Sequence, residues 1–358
     1  MPHIDKLREK IDKIDDQLLK LINRRAELAI QIGKEKSQKN QSSHFHVPSR
    51  ERAIIGRLNA LNKGPFPDEF IESVFREIFS ATLALEKPLK TAYLGPETTF
   101  SHQAALKQFG HSTVLTPYNS IETIFSEVEH GNCDYGVVPV ENSTEGVINL
   151  TLDSFVDSPL HICDELKIEV SLWLLSKTTQ LKKIKKIFSH PQPLAQCRAW
   201  LSQNLPGVEQ VATSSTAQAA KMAKEQPGTA AVSGELAAKV YQLNVLKKNI
   251  QDRAENFTRF WIIGRQKAKK TRHNKTSVMF SIKDESGSLL KTLQLFARNK
   301  INLTKIQSRP LRNRPWEYLF FLDFDGHIEE KHIARVIDIL SKRCLFIKVL
   351  GSYPQGSF

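Results

Sequence analysis

The sequence predicts a multidomain chain with three modules: an all-helical segment, an alternating α/β middle and a small α+β unit. Three observations predict it. Apolar residues from Ile4 to Ile32 recur in unbroken steps of three and four, the spacing of a packed helix seam. From Thr91 to Gly264 strand-like apolar runs alternate with helical stretches, the order of an α/β domain. After a basic stretch the chain reads strand, helix, strand, strand, helix, strand. The boundaries fall at residues 1–88, 91–266 and 275–353.

With 358 residues the chain is long for one core and fits two or three domains. Its 40% hydrophobic and 25% charged residues describe an ordinary globular protein. The first residues hold no apolar signal core, and no run of about 18 apolar residues occurs, so neither a secretory leader nor a membrane-spanning helix is expected. Cys133, Cys163, Cys197 and Cys344 are scattered without a CxxC pair. No disulfide framework or zinc site is expected, and a reducing cytoplasm is the default. The net charge of +13 suits nucleic acid or an anionic small substrate. Its densest runs, Lys182–Lys186 and Lys267–Lys275, read as a surface and a linker, and no nucleic-acid motif accompanies them. The small anion is the better expectation.

In the first module the seam is Ile4, Leu7, Ile11, Ile14, Leu18, Leu21, Arg25, Leu28 and Ile32, with Arg25 its only charge. A seam Arg either snorkels or is held by an anion inside a bundle. Lys36 lies within about 20° of Arg25 around the helix and about 16 Å further along it. Two long cations so placed converge on a small dianion. Arg8 is about 25 Å from Arg25 and turned away by about 100°. It reaches such a pocket only across a dimer. Gly33 weakens the helix without ending it. The stretch Ser37–His46 reads as a loop, Pro48 opens a second helix to Leu61, and a third runs Asp68–Glu86, with Phe75, Ile78, Phe79, Thr82 and Glu86 on one side. Three helices of such unequal length do not enclose their own apolar faces, so a homodimer or larger assembly is expected.

The middle module starts with a strand that ends in Gly95-Pro96, followed by Ser and Thr placed to cap a helix. Its later elements are a helix near Glu122–His130, strand Tyr135–Val140, strand Leu166–Leu175, strand Ile187–Ser189, helices Pro193–Asn204 and Thr216–Glu225, and strands Thr229–Val232 and Thr258–Gly264. Two stretches stand out. In Asn256-Phe257-Thr258-Arg259-Phe260 a hydroxyl and a guanidinium sit among aromatic residues. Either this is an ordinary strand with Arg259 in solvent, or Arg259 is buried against an anion and Thr258 faces the same space. In Val137–Gly146 an apolar run ends in Glu141, Asn142, Ser143, Thr144 and Glu145, the look of a ligand-binding turn. The last module reads strand Thr276–Ile282, helix Ser288–Asn299, strand Asn302–Ser308, strand Trp316–Phe324, helix Glu330–Arg343 and strand Phe346–Ser352, the ferredoxin-like plan.

The motifs Leu7-Arg8-Glu9-Lys10-Ile11, Arg24 to Ala29, Gly33 to Lys36 and Arg50-Glu51-Arg52 resemble the all-helical chorismate mutase domain. The resemblance implies that Arg25, Arg50 and Arg8 from a partner protomer hold the carboxylates of chorismate. Lys36 and Glu86 would face the ether oxygen, Glu51 the ring hydroxyl, and Thr82 a carboxylate. His46-Val47 stands where that family usually has an Asp, and Glu86 where one branch has Gln. The same resemblance implies no covalent step and no cofactor. The alternative for Glu86 is a helix end in water, paired with Lys87 or Lys90.

Gly95-Pro96-Glu97-Thr98-Thr99-Phe100-Ser101, Pro139 to Ser143, Ser189-His190-Pro191-Gln192 and Thr258-Arg259-Phe260 resemble prephenate dehydratase. That implies two α/β lobes of periplasmic-binding type with the site in the cleft. Thr258 would donate to the departing hydroxyl and Arg259 would bind a carboxylate, with Ser101, Asn142, Ser143 and Ser189 supplying further hydrogen bonds. His190 is a second-ranked general acid, since a His beside Pro more often caps a helix. Thr98 replaces the usual Gly. The last module resembles an ACT domain, which implies phenylalanine as effector at Ser286-Gly287-Ser288-Leu289 and Gln307-Ser308-Arg309-Pro310. Together the order implies a bifunctional enzyme acting on chorismate and then prephenate in phenylalanine biosynthesis. The alternatives are a single-activity dehydratase with a dimerising helical domain, or a catalytically silent amino-acid sensor.

Overall fold

The seam that opens the sequence forms one uninterrupted helix, α1 (Pro2–Gln38), of 37 residues. In this computed structural model, which describes residues 2–38, 48–310 and 318–356, the chain divides into two compact units. These are Met1–Lys90 with Gln108–Val114, and Thr91–Lys107 with Leu115–Phe358. In the first unit α2 (Pro48–Leu61) and α3 (Asp68–Glu86) pack by way of α3, which also lies against the C-terminal part of α1. Gly33 is buried because α3 comes close there: a Cβ added to it would sit 3.2 Å from Glu86 Cγ. Most of the seam has no cover among the described residues. Ile4, Ile11, Leu21 and Leu28 are each more than half exposed. Ser37 and Gln38 are still helical; the rest of the expected loop, with His46 and Val47, lies outside the described residues.

The second unit contains three sheets. The first is built from β1 (Lys90–Leu94), β2 (Val114–Tyr118), β3 (Tyr135–Asn142), β4 (Gly146–Val147), β5 (His161–Glu169) and β11 (Phe257–Gly264). Its order is β2-β1-β3-β11-β5, with β4 attached to β3. Helices α4 (Phe100–Phe109), α5 (Ile121–Glu129) and α6 (Asn149–Asp157) belong to this lobe. The second sheet contains β6 (Trp173–Ser176), β7 (Lys186–Ser189), β8 (Glu209–Ala212), β9 (Thr229–Ser233) and β10 (Asn244–Lys247) in the order β10-β6-β9-β7-β8. With it go α7 (Pro191–Gln196), α8 (Arg198–Asn204), α9 (Thr216–Glu225) and α10 (Glu235–Tyr241). The chain leaves the first lobe after β5 and returns as β11, which inserts antiparallel between β3 and β5. The third sheet is β12 (Asn274–Ser281), β13 (Leu303–Pro310), β14 (Tyr318–Asp325) and β15 (Phe346–Pro354) in the order β13-β14-β12-β15, with α11 (Ser288–Arg298) and α12 (Lys331–Ser341). This is the expected βαββαβ plan.

Several details differ from the sequence reading. The run Leu166–Leu175 is two strands, because the chain passes from the first sheet to the second between Glu169 and Trp173. The helix Pro193–Asn204 is two, broken at Cys197, whose φ and ψ of −110° and 12° are not helical. Strands β8 and β10 escaped notice because they are short and mostly exposed, with no period-two burial to mark them. The basic linker ends earlier than expected. Lys275 lies within β12, is buried, and donates to Glu165 Oε1 at 2.7 Å.

The first and third sheets share one core. Phe155, Ile162, Trp261 and Ile263 of the α/β lobe pack with Met279, Phe321, Leu350 and Tyr353 of the last module. At Gly351 the approach of β15 to β5 leaves no room for a side chain: a Cβ there would lie 2.4 Å from the main-chain oxygen of Ile162. Backbone does not yield as a flexible side chain does, so Gly351→Ala is expected to destabilise this unit by about 1–3 kcal/mol. Urea denaturation of the full chain, followed by near-ultraviolet signal, checks it. An unchanged midpoint would show that the two sheets separate at little cost.

Candidate active sites

In the helical unit Arg25 is the centre. Its Nη1 donates to Thr82 Oγ1 at 2.8 Å, and its guanidinium lies over the Phe79 ring, 5.0 Å from the centroid. The Thr82 hydroxyl in turn donates to the main-chain oxygen of Ile78. Burial works against the charge on Arg25, while Glu51 and Glu86 favour it and Arg50 opposes it. Arg25, Arg50, Glu51, Thr82, Glu86 and, through its effect on Glu86, Lys36 therefore form one electrostatic group. Glu51 is not left to a ligand alone, since Arg76 Nη1 donates to its Oε2 at 2.9 Å. Arg76 was absent from the sequence reading because it lies about 100° round α3 from Phe75, off the face that carries Phe79, Thr82 and Glu86. Arg8 stands apart, mostly exposed and paired with Asp5 at 3.4 Å, about 25 Å along the helix from Arg25.

Glu86 is half-buried, and its Oε2 makes no hydrogen bond among the described residues. Burial raises its pKa above the ordinary carboxylate value, and the opposing pull of Lys36 and Arg25 does not cancel that.

In the α/β lobes the sequence-named residues do not all meet. Thr258 and Asn142 do: they are opposite each other in the register of β11 and β3, and Asn142 Nδ2 donates to Thr258 Oγ1 at 2.9 Å. Asn142 is held by its own Oδ1, which accepts from the main-chain nitrogens of Thr144 and Glu145, and by Asn256 Oδ1, which accepts from Nδ2 at 2.8 Å. No acceptor among the described residues takes the Thr258 proton. From Asn256 the chain of bonds continues to Gln196 Oε1, and Gln196 Nε2 reaches Glu145 Oε1 at 3.1 Å. This chain borders a cleft of about 470 Å³, lined by Thr144, Glu145, Gln192, Ala195, Gln196, Gln251, Asp252, Arg253 and Asn256. Arg253 is the one cation in that lining. Gln196, Asn256 and Arg253 were missed because single amides and a loop Arg look like ordinary surface.

The other named residues have mixed positions. Ser101 is buried, with no hydrogen bond to its hydroxyl among the described residues. Ser189 Oγ donates to Val232 O at 2.6 Å and is wholly buried. Ser143 ties β3 to β11, its Oγ accepting from Phe257 N at 3.0 Å. His190 caps α7 by accepting from Gln192 N, as its place beside Pro191 suggests. Thr98 has φ 69°, the left-handed conformation that a Gly takes freely and a β-branched residue rarely does.

Thr258 and Arg259 do not share a space. Successive residues of a strand point to opposite faces, and Arg259 turns away from Asn142 towards the third sheet. Its Nε donates to Glu165 Oε2 at 2.7 Å, its Nη1 to Asp323 Oδ2 at 2.7 Å and its Nη2 to the Tyr353 hydroxyl at 3.1 Å. Burial disfavours the charge, but Tyr353, Asp323 and Glu165 outweigh it and hold the pKa well above the ordinary value. The anion that meets this buried Arg is the protein's own. Of the C-terminal motifs, Gly287, at φ 82°, precedes Ser288 and Leu289 at the start of α11. Gln307, Ser308, Arg309 and Pro310 end the edge strand β13, where Arg309 Nη1 donates to Asn149 O at 2.8 Å and pairs with Asp153.

Family models match the chain in three consecutive stretches: chorismate mutase type II over residues 7–87, prephenate dehydratase over 91–268 and the ACT domain over 276–341. A bifunctional chorismate mutase/prephenate dehydratase of Aquifex aeolicus is 47% identical over 360 residues, 99% of each chain. The chain belongs to the bifunctional chorismate mutase/prephenate dehydratase family. A second member, from Pseudomonas aeruginosa, is 45% identical over 98% of this chain and 97% of its own. The crystal structure of prephenate dehydratase from Arthrobacter aurescens in complex with L-Phe is 32% identical, with a TM-score of 0.69 over 75% of this chain and 90% of that one.

If Glu86 faces the ether oxygen, as the resemblance implies, its raised pKa sets a sign for the mutase reaction. A raised pKa means a larger protonated fraction at any given pH, and only the protonated carboxyl donates to a developing oxyanion. Mutase turnover is expected to rise as pH falls from 8 toward about 5, and Glu86→Gln, a permanent donor, to flatten the profile and help most at high pH. A flat parental profile unchanged by the substitution would take Glu86 out of the site.

Proposed function

We propose that the helical unit rearranges chorismate at the Arg25–Lys36–Glu86 group, and that prephenate loses carbon dioxide and its hydroxyl beside Thr258. The chain is a bifunctional chorismate mutase and prephenate dehydratase with an ACT domain. The dehydratase assignment is carried by one observation: the Thr258 hydroxyl is fixed by Asn142 while its proton stays unclaimed among the described residues.

In the mutase step the ether bond of chorismate breaks as a carbon–carbon bond forms, and negative charge grows on the ether oxygen. Lys36 and the protonated Glu86 stabilise that charge, and Arg25, oriented by Thr82 and Phe79, holds a carboxylate with Arg50. Glu51 accepts from the ring hydroxyl while Arg76 holds it in place. This is preorganised electrostatics with no covalent step. The uncovered seam of α1 supports a homodimer in which Arg8 of the partner subunit adds a further cation to the group.

In the dehydratase step the ring carboxylate leaves as carbon dioxide. Its bonding electrons enter the ring and expel the hydroxyl, giving phenylpyruvate. Thr258 donates to the departing oxygen, and Asn142 holds Thr258 by donating to its Oγ1. Ser101 is open to a ligand, whereas Ser189 and Ser143 support the site mainly through the backbone. Arg253 supplies the cation for a carboxylate that Arg259 does not. The L-Phe complex of the Arthrobacter relative supports phenylalanine as effector at the Gly287–Leu289 and Gln307–Pro310 segments. No helix among the described residues is long and apolar enough to cross a membrane, in keeping with a cytoplasmic enzyme.

Chorismate and phenylpyruvate followed in one purified sample test both assignments. Thr258→Val keeps the shape and removes the hydroxyl. It is expected to lower phenylpyruvate formation at least about 100-fold while chorismate consumption stays normal; full dehydratase activity in the variant would end the Thr258 assignment. For the dimer, Arg8→Ala and Arg25→Ala proteins are each expected to be inactive as mutases. Subunit exchange between them is expected to restore activity to one site in each mixed dimer. Mass-verified mixed dimers without mutase activity would show that Arg8 does not act in trans.

A further inference from the structure

Strand alternation places a second pair of side chains behind the Asn142–Thr258 pair. In the register of β3 and β11 Thr258 is opposite Asn142, and Arg259 is opposite Glu141. Asn142 and Thr258 face one side of the sheet. Glu141 and Arg259 face the other, and both are gripped by the ACT sheet. Lys305 Nζ of β13 donates to Glu141 Oε2 at 2.8 Å. Asp323 of β14 and Tyr353 of β15 take two arms of Arg259, and the third goes to Glu165 of β5.

The cluster is closed on every side. Ser277 Oγ donates to Asp323 Oδ1 at 2.6 Å and lies 2.6 Å from the Tyr353 hydroxyl. Glu165 Oε1 accepts from Lys275 Nζ and from Gly356 N. Two carboxylates, Glu165 and Asp323, balance two cations, Arg259 and Lys275, in a buried setting. A network satisfied this fully has one low-energy arrangement, and so fixes the backbone that carries it. That backbone is one residue from Thr258 on one strand and one from Asn142 on the other.

We propose that Glu141 and Arg259 are positioning residues through which the ACT sheet holds the Asn142–Thr258 pair in its working geometry. The ACT module is then a structural part of the dehydratase site. β13, which carries Lys305, also carries Gln307 and Arg309 on the same face, two and four residues on, so a displacement of that strand reaches Glu141 directly. The proposal rests on the assignment of Asn142 and Thr258 to the dehydratase reaction.

Lys305→Met and Asp323→Asn test it in the full chain, because both changes lie in the ACT sheet and neither touches the catalytic pair. Each is expected to lower dehydratase kcat about tenfold, with KM for prephenate within about twofold and mutase turnover unchanged. Lys305→Arg, which keeps the cation, is expected to keep kcat. A merely structural bolt would lower the unfolding temperature yet leave kcat unchanged below it; that result in both variants overturns the proposal. If Asp323→Asn does not fold, Lys305→Met decides, since its partner Glu141 is 37% exposed. Should Thr258→Val retain activity, the underlying assignment falls and the proposal with it. An inactive Thr258→Val beside interface variants of parental kcat removes the proposal alone.

Discussion

A guanidinium taken out of water needs an anion, and much of the second unit is arranged around how Arg259 finds two. Breaking a buried pair by removing one partner costs about 3–5 kcal/mol, because a charge is left without compensation. Glu165 shows the same constraint from the acid side: burial would raise its pKa, yet Arg259 and Lys275 pull it below the ordinary carboxylate value. It therefore stays ionised in a place where an isolated carboxyl would not. The four charges come from β5, β11, β12 and β14, so two sheets are committed to one relative position by electrostatics as well as by the core of Trp261, Met279 and Phe321. Packing alone would tolerate small slips between apolar faces. Directional bonds to a planar guanidinium do not.

The helical unit solves a different problem. There no carboxylate among the described residues lies within hydrogen-bonding reach of Arg25; its bond goes to a neutral hydroxyl and its face to an aromatic ring. Burial works against that charge, and on the proposed assignment a carboxylate of the substrate offsets the cost. On the proposed assignments the contrast between Arg25 and Arg259 separates a binding Arg from a positioning one. Arg25 is half-buried and Arg259 buried, both lie near aromatic rings, and the identity of their partners tells them apart.

The sequence disclosed what depends on local order. The three-and-four spacing of Ile4 to Ile32 required α1, the Asp68–Glu86 helix was read to the residue, and His190 beside Pro191 was legible as a cap. It hid what depends on distant partners. The bond from Arg259 to Asp323 spans 64 residues and that to Glu165 spans 94, so the direction of Arg259 had no local signal beyond strand period, which says that neighbours diverge without saying where each one goes. Asn256 and Gln196 are separated by 60 residues, and neither amide differs on its face from a surface residue. Gly33 looked like a weakness in a helix until Glu86 was seen lying against it.

The two sites also differ in how they respond to protons, and the reason lies in their residue types. The bonds running from Thr258 through Asn142 and Asn256 to Gln196 join a hydroxyl and three amides, none of which titrates in the physiological range. Only Glu145, at the far end, carries an ionisable group, and three side chains separate it from Thr258. The mutase group holds Glu86, a half-buried carboxyl whose charge is opposed by burial and favoured by two cations. On the proposed assignments a shift in pH acts on the first reaction through Glu86, whereas no titrating side chain among the described residues bonds to Thr258. The two groups belong to separate compact units. If Glu86 faces the ether oxygen, as proposed, acidification quickens prephenate formation and so changes the balance between the two steps.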